Sequence, residues 1–282
     1  KDRCYSWVNR ETERLLGYSS GELLGRSTRL VFVDDASHDA VGQAAYPVLG
    51  AGGVYRQHLQ LRRKDGTLIW IDMGGAPLAD GETLWVFQDI TALKQQQARV
   101  EQLAFHDVLT GLPNRALLTD RLRQMLALCE RMKTQLAVCF IDLDGFKEVN
   151  DTFGHDAGDL LLQQVAHRLQ RCVRANDTVA RLGGDEFVIV LSPLHASDEC
   201  RPVLGRVLAA VSEPVDLGEG RQGRVSASIG VALYPDDGAD GDALMAEADK
   251  AMYGAKRAGR NRITGLPLLP QPRHDEVASE SR

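Results

Sequence analysis

The sequence has no apolar run approaching the ~20 residues a membrane-spanning helix requires, and no stretch with the charged start, apolar middle and small-residue end of a secretion signal. Its five cysteines, Cys4, Cys129, Cys139, Cys172 and Cys200, are odd in number and scattered. They offer no CxxC or Cys/His spacing for zinc and no dense disulfide framework, so reduced thiols are expected. No run of lysine or arginine forms a basic stripe, and the formal net charge is −6. Duplex nucleic acid is therefore argued against as the main partner, because such binding rests on neutralising phosphates. A GxxxxGK[ST] phosphate loop is also missing. There is no initiator methionine: Lys1 opens directly in patterned sequence, as in a piece of a longer chain. A cytoplasmic location is the expectation, with room for a membrane segment ahead of Lys1.

What is present describes a globular chain. With 282 residues, 44% hydrophobic and 26% charged, it is long enough for two ordinary domains with buried cores. Residues 1–91 read as a small α+β domain. Helical turns at 11–16 and 21–24 are broken by Gly17 and Gly25, and alternating runs at 55–62 and 67–73 flank Lys64-Asp65-Gly66, a hairpin signal. Residues 83–89 supply a third strand. Residues 92–105 form a linker helix. Ile90, Leu93, Gln97 and Val100 are spaced 3, 4, 3, which fits a short coiled-coil seam and a solvated helix equally well.

From 106 to 265 helices and strands alternate. Helices are expected at 116–131, 156–173, 198–211 and 242–257. A nearly continuous apolar run at 135–141 reads as a strand buried on both faces. Residues 178–191 read as a hairpin turning at Gly183-Gly184, and 224–233 as a further strand. The class is α/β with a mixed sheet, since the hairpin is antiparallel. Residues 266–282, with three prolines, read as a disordered tail.

Four acids carry the chemistry. Asp142 and Asp144 follow the buried run, and Asp185 and Glu186 follow the glycine turn. If those edges adjoin, carboxylates converge at one end of a sheet, an arrangement costly without cations. An oxygen-only set favours Mg²⁺ or Mn²⁺ over zinc, and paired hard cations suit in-line attack on a phosphoryl group. Either pair alone reads as well as a strand cap or hairpin decoration. An EF-hand fails, because Phe146 falls where a ligand is needed.

The motifs resolve the choice. His106-Asp107-Val108-Leu109-Thr110-Gly111-Leu112-Pro113-Asn114-Arg115 opens a series continued by Asp142-Leu143-Asp144-Gly145-Phe146-Lys147, Asn150-Asp151, Gly154-His155 and Gly158-Asp159. Arg181-Leu182-Gly183-Gly184-Asp185-Glu186-Phe187, Ser228-Ile229-Gly230 and Ala248-Asp249-Lys250 follow, and Ala255-Lys256-Arg257-Ala258-Gly259-Arg260-Asn261 closes it. In this order and spacing, residues 106–265 resemble a GGDEF-family diguanylate cyclase, with a palm-like, nucleotidyl-cyclase-type fold.

The resemblance implies that two GTP molecules are joined into cyclic di-GMP with release of two pyrophosphates. It implies two Mg²⁺ (or Mn²⁺) ions per site held by Asp142, the Leu143 carbonyl and Asp185. Asp185 would accept the ribose 3′-OH proton, with Glu186 assisting. Gly183 and Gly184 would let backbone approach phosphate. Lys147, Lys256 and Arg260 would neutralise the triphosphate; Lys256 and Arg260, four apart, are expected on one face of the last helix. Asn150 and Asp159 would read guanine. His155 either lines that pocket or packs a turn. Arg174 and Asp177, an RxxD with five residues between Asp177 and Gly183, match the family's inhibitory product site, which an arginine fork suits.

Residues 1–91 resemble a PAS sensor through Asn9-Arg10-Glu11-Thr12-Glu13-Arg14-Leu15-Leu16-Gly17-Tyr18, Glu22-Leu23-Leu24-Gly25, Arg63-Lys64-Asp65-Gly66-Thr67 and Asp89-Ile90-Thr91. Its first strand is missing or short, and its ligand is unknown. His38 reads as a surface histidine rather than a haem ligand. Each catalytic domain carries one GTP half-site, so a homodimer through the linker helix and PAS domain is expected. Two rival readings are a non-catalytic domain that binds GTP or cyclic di-GMP, and a palm-type polymerase or adenylyl cyclase. The intact acids argue against the first; the missing basic groove and the Asn150/Asp159 pair argue against the second.

Overall fold

In a computed structural model that describes residues 3–78, 81–218 and 220–266, the chain divides into two compact units, Lys1–Glu101 and Gln102–Arg282. Residues 267–282, most of the expected tail, lie outside the described residues. The first unit opens with α1 (Arg10–Leu16), whose first turn is capped by the Asn9 side chain accepting from the Thr12 amide. Then come α2 (Ser20–Leu23), a 3₁₀ turn (Thr28–Val31) and α3 (Asp35–Gly50). Three antiparallel strands follow, β1 (Tyr55–Arg62), β2 (Leu68–Pro77) and β3 (Thr83–Asp89), in the order β1-β2-β3. One face alternates Leu59, Leu61, Ile69, Ile71 and Met73 into a core with Leu16, Leu23, Val31 and Val41.

Two expectations are corrected here. His38 is buried, 2% exposed, not at the surface. Its Nε2 meets Thr28 Oγ1 at 3.1 Å, its Nδ1 meets Asp39 Oδ1 at 3.0 Å, and its ring stands edge-on to Phe32. It belongs to the inner stripe His38, Val41, Ala45, Leu49 of α3. Ile90 is also buried, and its amide donates to the Trp70 carbonyl. It therefore closes the first unit and does not begin an exposed seam. The linker helix α4 (Thr91–Phe105) buries no residue; Leu93 and Val100 are 62% and 59% exposed. Among the described residues no helix is long and apolar enough to cross a membrane.

The second unit runs α5 (Arg115–Met132), β4 (Gln135–Asp144), α6 (Phe146–Phe153), α7 (His155–Cys172), β5 (Thr178–Gly183), β6 (Glu186–Leu194), α8 (Cys200–Ser212), β7 (Val215–Asp216), β8 (Gln222–Gly223), β9 (Ser226–Tyr234), α9 (Gly241–Arg257) and β10 (Arg262–Thr264). The main sheet has the order β10-β9-β4-β6-β5. It is antiparallel except for β10 beside β9, hence mixed as the sequence implied. β4 is central and buried from Leu136 to Asp144 because both its faces are covered. Ala137, Cys139, Ile141 and Leu143 pack with residues of α6, α7 and α8. Leu136, Val138 and Phe140 pack with α5 and α9. This pleat decides the site: Asp142 and Asp144 continue the even-numbered face, the one α9 covers.

Candidate active site

β4 runs three residues beyond its apolar stretch, so its last pleats are acidic rather than apolar. Asp142 lies opposite Glu186 of β6 on one side and Ser228 of β9 on the other. The Leu143 amide donates to the Asp185 carbonyl at 3.3 Å, which brings the glycine turn against the end of β4. From α9 comes Lys256, its Nζ 2.7 Å from Asp142 Oδ2. Asp142, Leu143, Lys147, Asp185, Lys256 and Arg260 line one open cavity of about 500 Å³. The two acidic edges thus meet.

The electrostatics favour a cation. Burial pushes the Asp142 carboxyl above its ordinary value, with Asp185 and Asp144 adding to the rise, while Lys256 lowers it without cancelling it. Glu186 is raised too, by burial and then by Asp142, Asp249 and Asp185. Among the described residues no three His, Cys, Asp or Glu side chains form a metal cage. A magnesium ion needs none, since it retains water and phosphate oxygens alongside one or two carboxylates. An all-oxygen set of under-neutralised carboxylates fits such an ion.

The turn itself is held by an arginine to which the sequence reading gave no role. Gly183 and Gly184 have φ of 145° and 51°, values that suit glycine. A Cβ at either would meet no protein atom; the turn needs them for conformation, not for packing. Arg181, buried in β5, donates from Nε and Nη2 to the Gly184 carbonyl at 3.0 and 2.7 Å. Its Nη1 donates to both Asp107 oxygens at 2.9 and 3.1 Å. Burial alone would raise the Asp107 carboxyl; hydrogen bonds from Thr110 and Arg181 hold it below the ordinary value. A charged residue inside an otherwise apolar strand pattern was the available signal, and its partner lay 74 residues upstream.

Asn150 of α6 has a buried Oδ1 with no hydrogen-bond partner among the described residues. It fits there because residue 158 is glycine: a Cβ would fall 1.9 Å from that oxygen. Asp159 and His155 are exposed on α7, four apart, and Lys147 is exposed in the first turn of α6. One expectation fails. Lys256 and Arg260 do not share a helical face, because α9 ends at Arg257 and Arg260 sits beyond it at φ 60°. They reach the same cavity through a turn in which the Arg260 amide donates to the Ala255 carbonyl at 3.0 Å.

Arg174 and Asp177 close a separate turn. The Asp177 amide donates to the Arg174 carbonyl at 3.1 Å, and Asp177 Oδ2 accepts from the Arg174 amide at 2.8 Å. Its Oδ1 accepts from the Ser192 amide at 3.3 Å, while the Arg174 side chain is exposed. Asp177 borders a second cavity of about 250 Å³ with Asn176, Arg121 and Gln124.

Comparison with known proteins matches residues 104–262 to the family model described as diguanylate cyclase, GGDEF domain, and residues 1–92 to a PAS domain model. The chain is similar to the bifunctional diguanylate cyclase/cyclic di-GMP phosphodiesterase MucR of Pseudomonas aeruginosa, 48% identical over 61% of this chain and 25% of that protein. It is similar to the probable diguanylate cyclase DgcE of Escherichia coli, 33% identical over 98% of this chain and 25% of that one. The chain thus spans a quarter of the length of these curated relatives. Among solved structures, the coiled coil and GGDEF domain of DgcB from Caulobacter crescentus in complex with c-di-GMP superposes with a TM-score of 0.57 at 31% identity. That match covers 62% of this chain and 92% of that one.

Proposed function

The chain belongs to the diguanylate cyclase GGDEF-domain family, and from that premise we propose that it condenses two GTP molecules into cyclic di-GMP and two pyrophosphates. The observation that carries the reading is the meeting of the Asp142 and Asp185 edges in one cavity with Lys147, Lys256 and Arg260. Three cationic side chains beside carboxylates suit a triphosphate rather than an uncharged ligand. In each half-reaction the 3′-oxygen of one GTP bonds to the α-phosphorus of the other. The bond from that phosphorus to the α–β bridging oxygen breaks, and its electron pair leaves with pyrophosphate.

In this reading Lys147, Lys256 and Arg260 bind the triphosphate and stabilise charge on the departing pyrophosphate. Asn150 supplies a buried acceptor for the guanine N–H edge, and Asp159 a second one; His155 stands one turn before it. Asp185 takes the 3′-OH proton, with Glu186 beside it. Gly183 and Gly184 let the backbone approach phosphate. Asp142, the Leu143 carbonyl and Asp185 would hold two Mg²⁺ (or Mn²⁺) ions, which when bound supply Lewis-acid polarisation of the phosphoryl oxygens. One chain offers one half-site, so two copies act together, paired through α4 and the PAS unit, with the PAS unit as regulator. Product would bind at Arg174 and Asp177 and slow turnover; the c-di-GMP complex of DgcB supports cyclic di-GMP as a ligand of such domains.

Incubating the purified chain with Mg²⁺ and either GTP or ATP, with products separated by chromatography, tests the reading. Cyclic di-GMP from GTP alone is expected. GTP binding without product would instead favour a non-catalytic nucleotide sensor, and turnover of ATP a different cyclase.

A further inference from the structure

Asp144 stands two residues after Asp142 on the same pleat of β4, yet its carboxylate is engaged in a different way. Oδ1 accepts from Ser228 Oγ at 2.8 Å and lies 3.8 Å from Arg260 Nε. Oδ2 accepts from Ser226 Oγ at 2.9 Å and from the Asn261 amide at 3.2 Å. Those partners come from β9 and from the chain just past α9. A carboxylate 8% exposed and satisfied on both oxygens by three donors and a guanidinium is poorly suited to give up lone pairs to a cation.

The segment it grips is strained. Arg260 and Asn261 have φ of 60° and 46°, two successive left-handed residues that are not glycine. Such a conformation persists only where its surroundings hold it. Local holds are the Arg260 amide on the Ala255 carbonyl, Arg262 Nε on the Arg260 carbonyl and Ser212 Oγ on Asn261 Oδ1. The ties to the sheet are the parallel pairing of Arg262 with Ser228 and the Asp144 carboxylate at the end of β4. Arg260 itself is 66% exposed, and its terminal nitrogens make no hydrogen bond among the described residues.

We propose that Asp144 is a positioning residue, not a metal ligand: it ties the strained Arg260–Asn261 turn to β4 and β9, and so presents the Arg260 guanidinium at the cavity. The proposal rests on the reading of Arg260 as a triphosphate contact. It divides the two acids by task, Asp142 under-neutralised for a cation and Asp144 saturated for architecture.

The test is a double-mutant cycle on the full chain, with GTP and saturating Mg²⁺. Asp144→Asn should raise KM for GTP about tenfold, the scale of one charge-assisted contact, and change kcat by less than about threefold. Arg260→Ala should raise KM at least as much and lower kcat as well, since it also meets the departing pyrophosphate, and adding Asp144→Asn to it should cost less than about twofold more in kcat/KM. Multiplicative effects in the double variant would overturn the proposal. So would a loss confined to kcat and relieved by more Mg²⁺, which would make Asp144 a metal ligand. Should Asp144→Asn fail to fold, the Ser226→Ala/Ser228→Ala pair keeps the carboxylate but removes two of its donors, and should raise KM about threefold. Amide hydrogen exchange across residues 258–264 gives a readout independent of turnover. Faster exchange in the variants is expected, and unchanged exchange refutes the tether. A wild-type chain that makes no cyclic dinucleotide sinks the cyclase reading alone, and exchange still decides the tether.

Discussion

Asp142 is held where its charge is least comfortable, and that sets its response to pH, metal and mutation. Its pKa is raised by burial, so the folded protein binds a proton more readily than the unfolded chain. Across the window from the ordinary carboxylate pKa up to the raised one, stability falls as pH rises. Above that window the ionised carboxylate is a net burden on the metal-free protein. Asp142→Asn should therefore raise the metal-free Tm at pH 7.5 while abolishing turnover. A divalent ion must displace the proton, so wild-type stabilisation by Mg²⁺ should fade as pH drops into the window and be absent from the variant. Thermal scans with and without Mg²⁺ check both; a lower metal-free Tm in the variant contradicts the account. At this scale the sequence conveyed part of what gathers: Asp142, Leu143, Lys147, Asp185, Lys256 and Arg260, named from the motifs and the family resemblance, line the main cavity, whereas Asn150, His155 and Asp159 do not. It did not convey how each acid is satisfied. Asp142 and Asp144 look alike in the chain, and partners more than eighty residues on tell them apart: Lys256 at Asp142, and Ser226, Ser228, Arg260 and the Asn261 amide at Asp144. His38 was misjudged for a similar reason, since a histidine is buried once its nitrogens find partners such as Thr28 and Asp39.

Strands proved easier to read than helices. The span of β1 coincides with the alternating run read at 55–62, because a half-buried strand writes its burial directly into a period of two, and β3 coincides with the third strand expected at 83–89. α3 was missed. Its inner stripe is only four residues, one of them histidine, and Gly42 and Pro47 look like breakers. Pro47 is tolerated near the end of the helix because the Asp34 cap and the stripe stabilise the rest. The end of α9 at Arg257 agrees with the sequence reading, but Arg260 was still assigned to its face, because the basic residues continue past the helix while the backbone turns at φ 60°. α4 is the element whose shape and role part company. It is helical over fifteen residues with nothing buried, and its apolar residues Leu93, Val100 and Leu103 are open to solvent. An isolated helix of that length is marginal in water without tertiary support, so pairing with a second copy is the reading that stabilises it. Replacing Leu93 and Val100 by lysine should shift sedimentation toward monomer and lower cyclase activity at least tenfold together. Full activity from a demonstrated monomer contradicts the dimer.

For the molecule as a whole, the proposed synthesis site and the proposed feedback site would occupy different places. The cavity at the end of β4 and the Arg174–Asp177 turn at the start of β5 are lined by different residues. Asp177 spends both oxygens on backbone amides that shape its turn, leaving the exposed Arg174 as the group free to meet a phosphate. Arg174→Ala should thus leave initial rates within about twofold of wild type while keeping progress curves linear as product accumulates. Inhibition by added cyclic di-GMP that persists in the variant removes that site from the account.

The grip of Arg181 has a consequence for how such a domain changes over time. It holds the turn by a main-chain oxygen, Gly184 O, and not by any acid. The loop's outline is therefore indifferent to what residues 185 and 186 carry. A lineage is free to discard its reactive groups there, keep the scaffold intact, and retire from synthesis into pure nucleotide sensing without first passing through a misfolded ancestor.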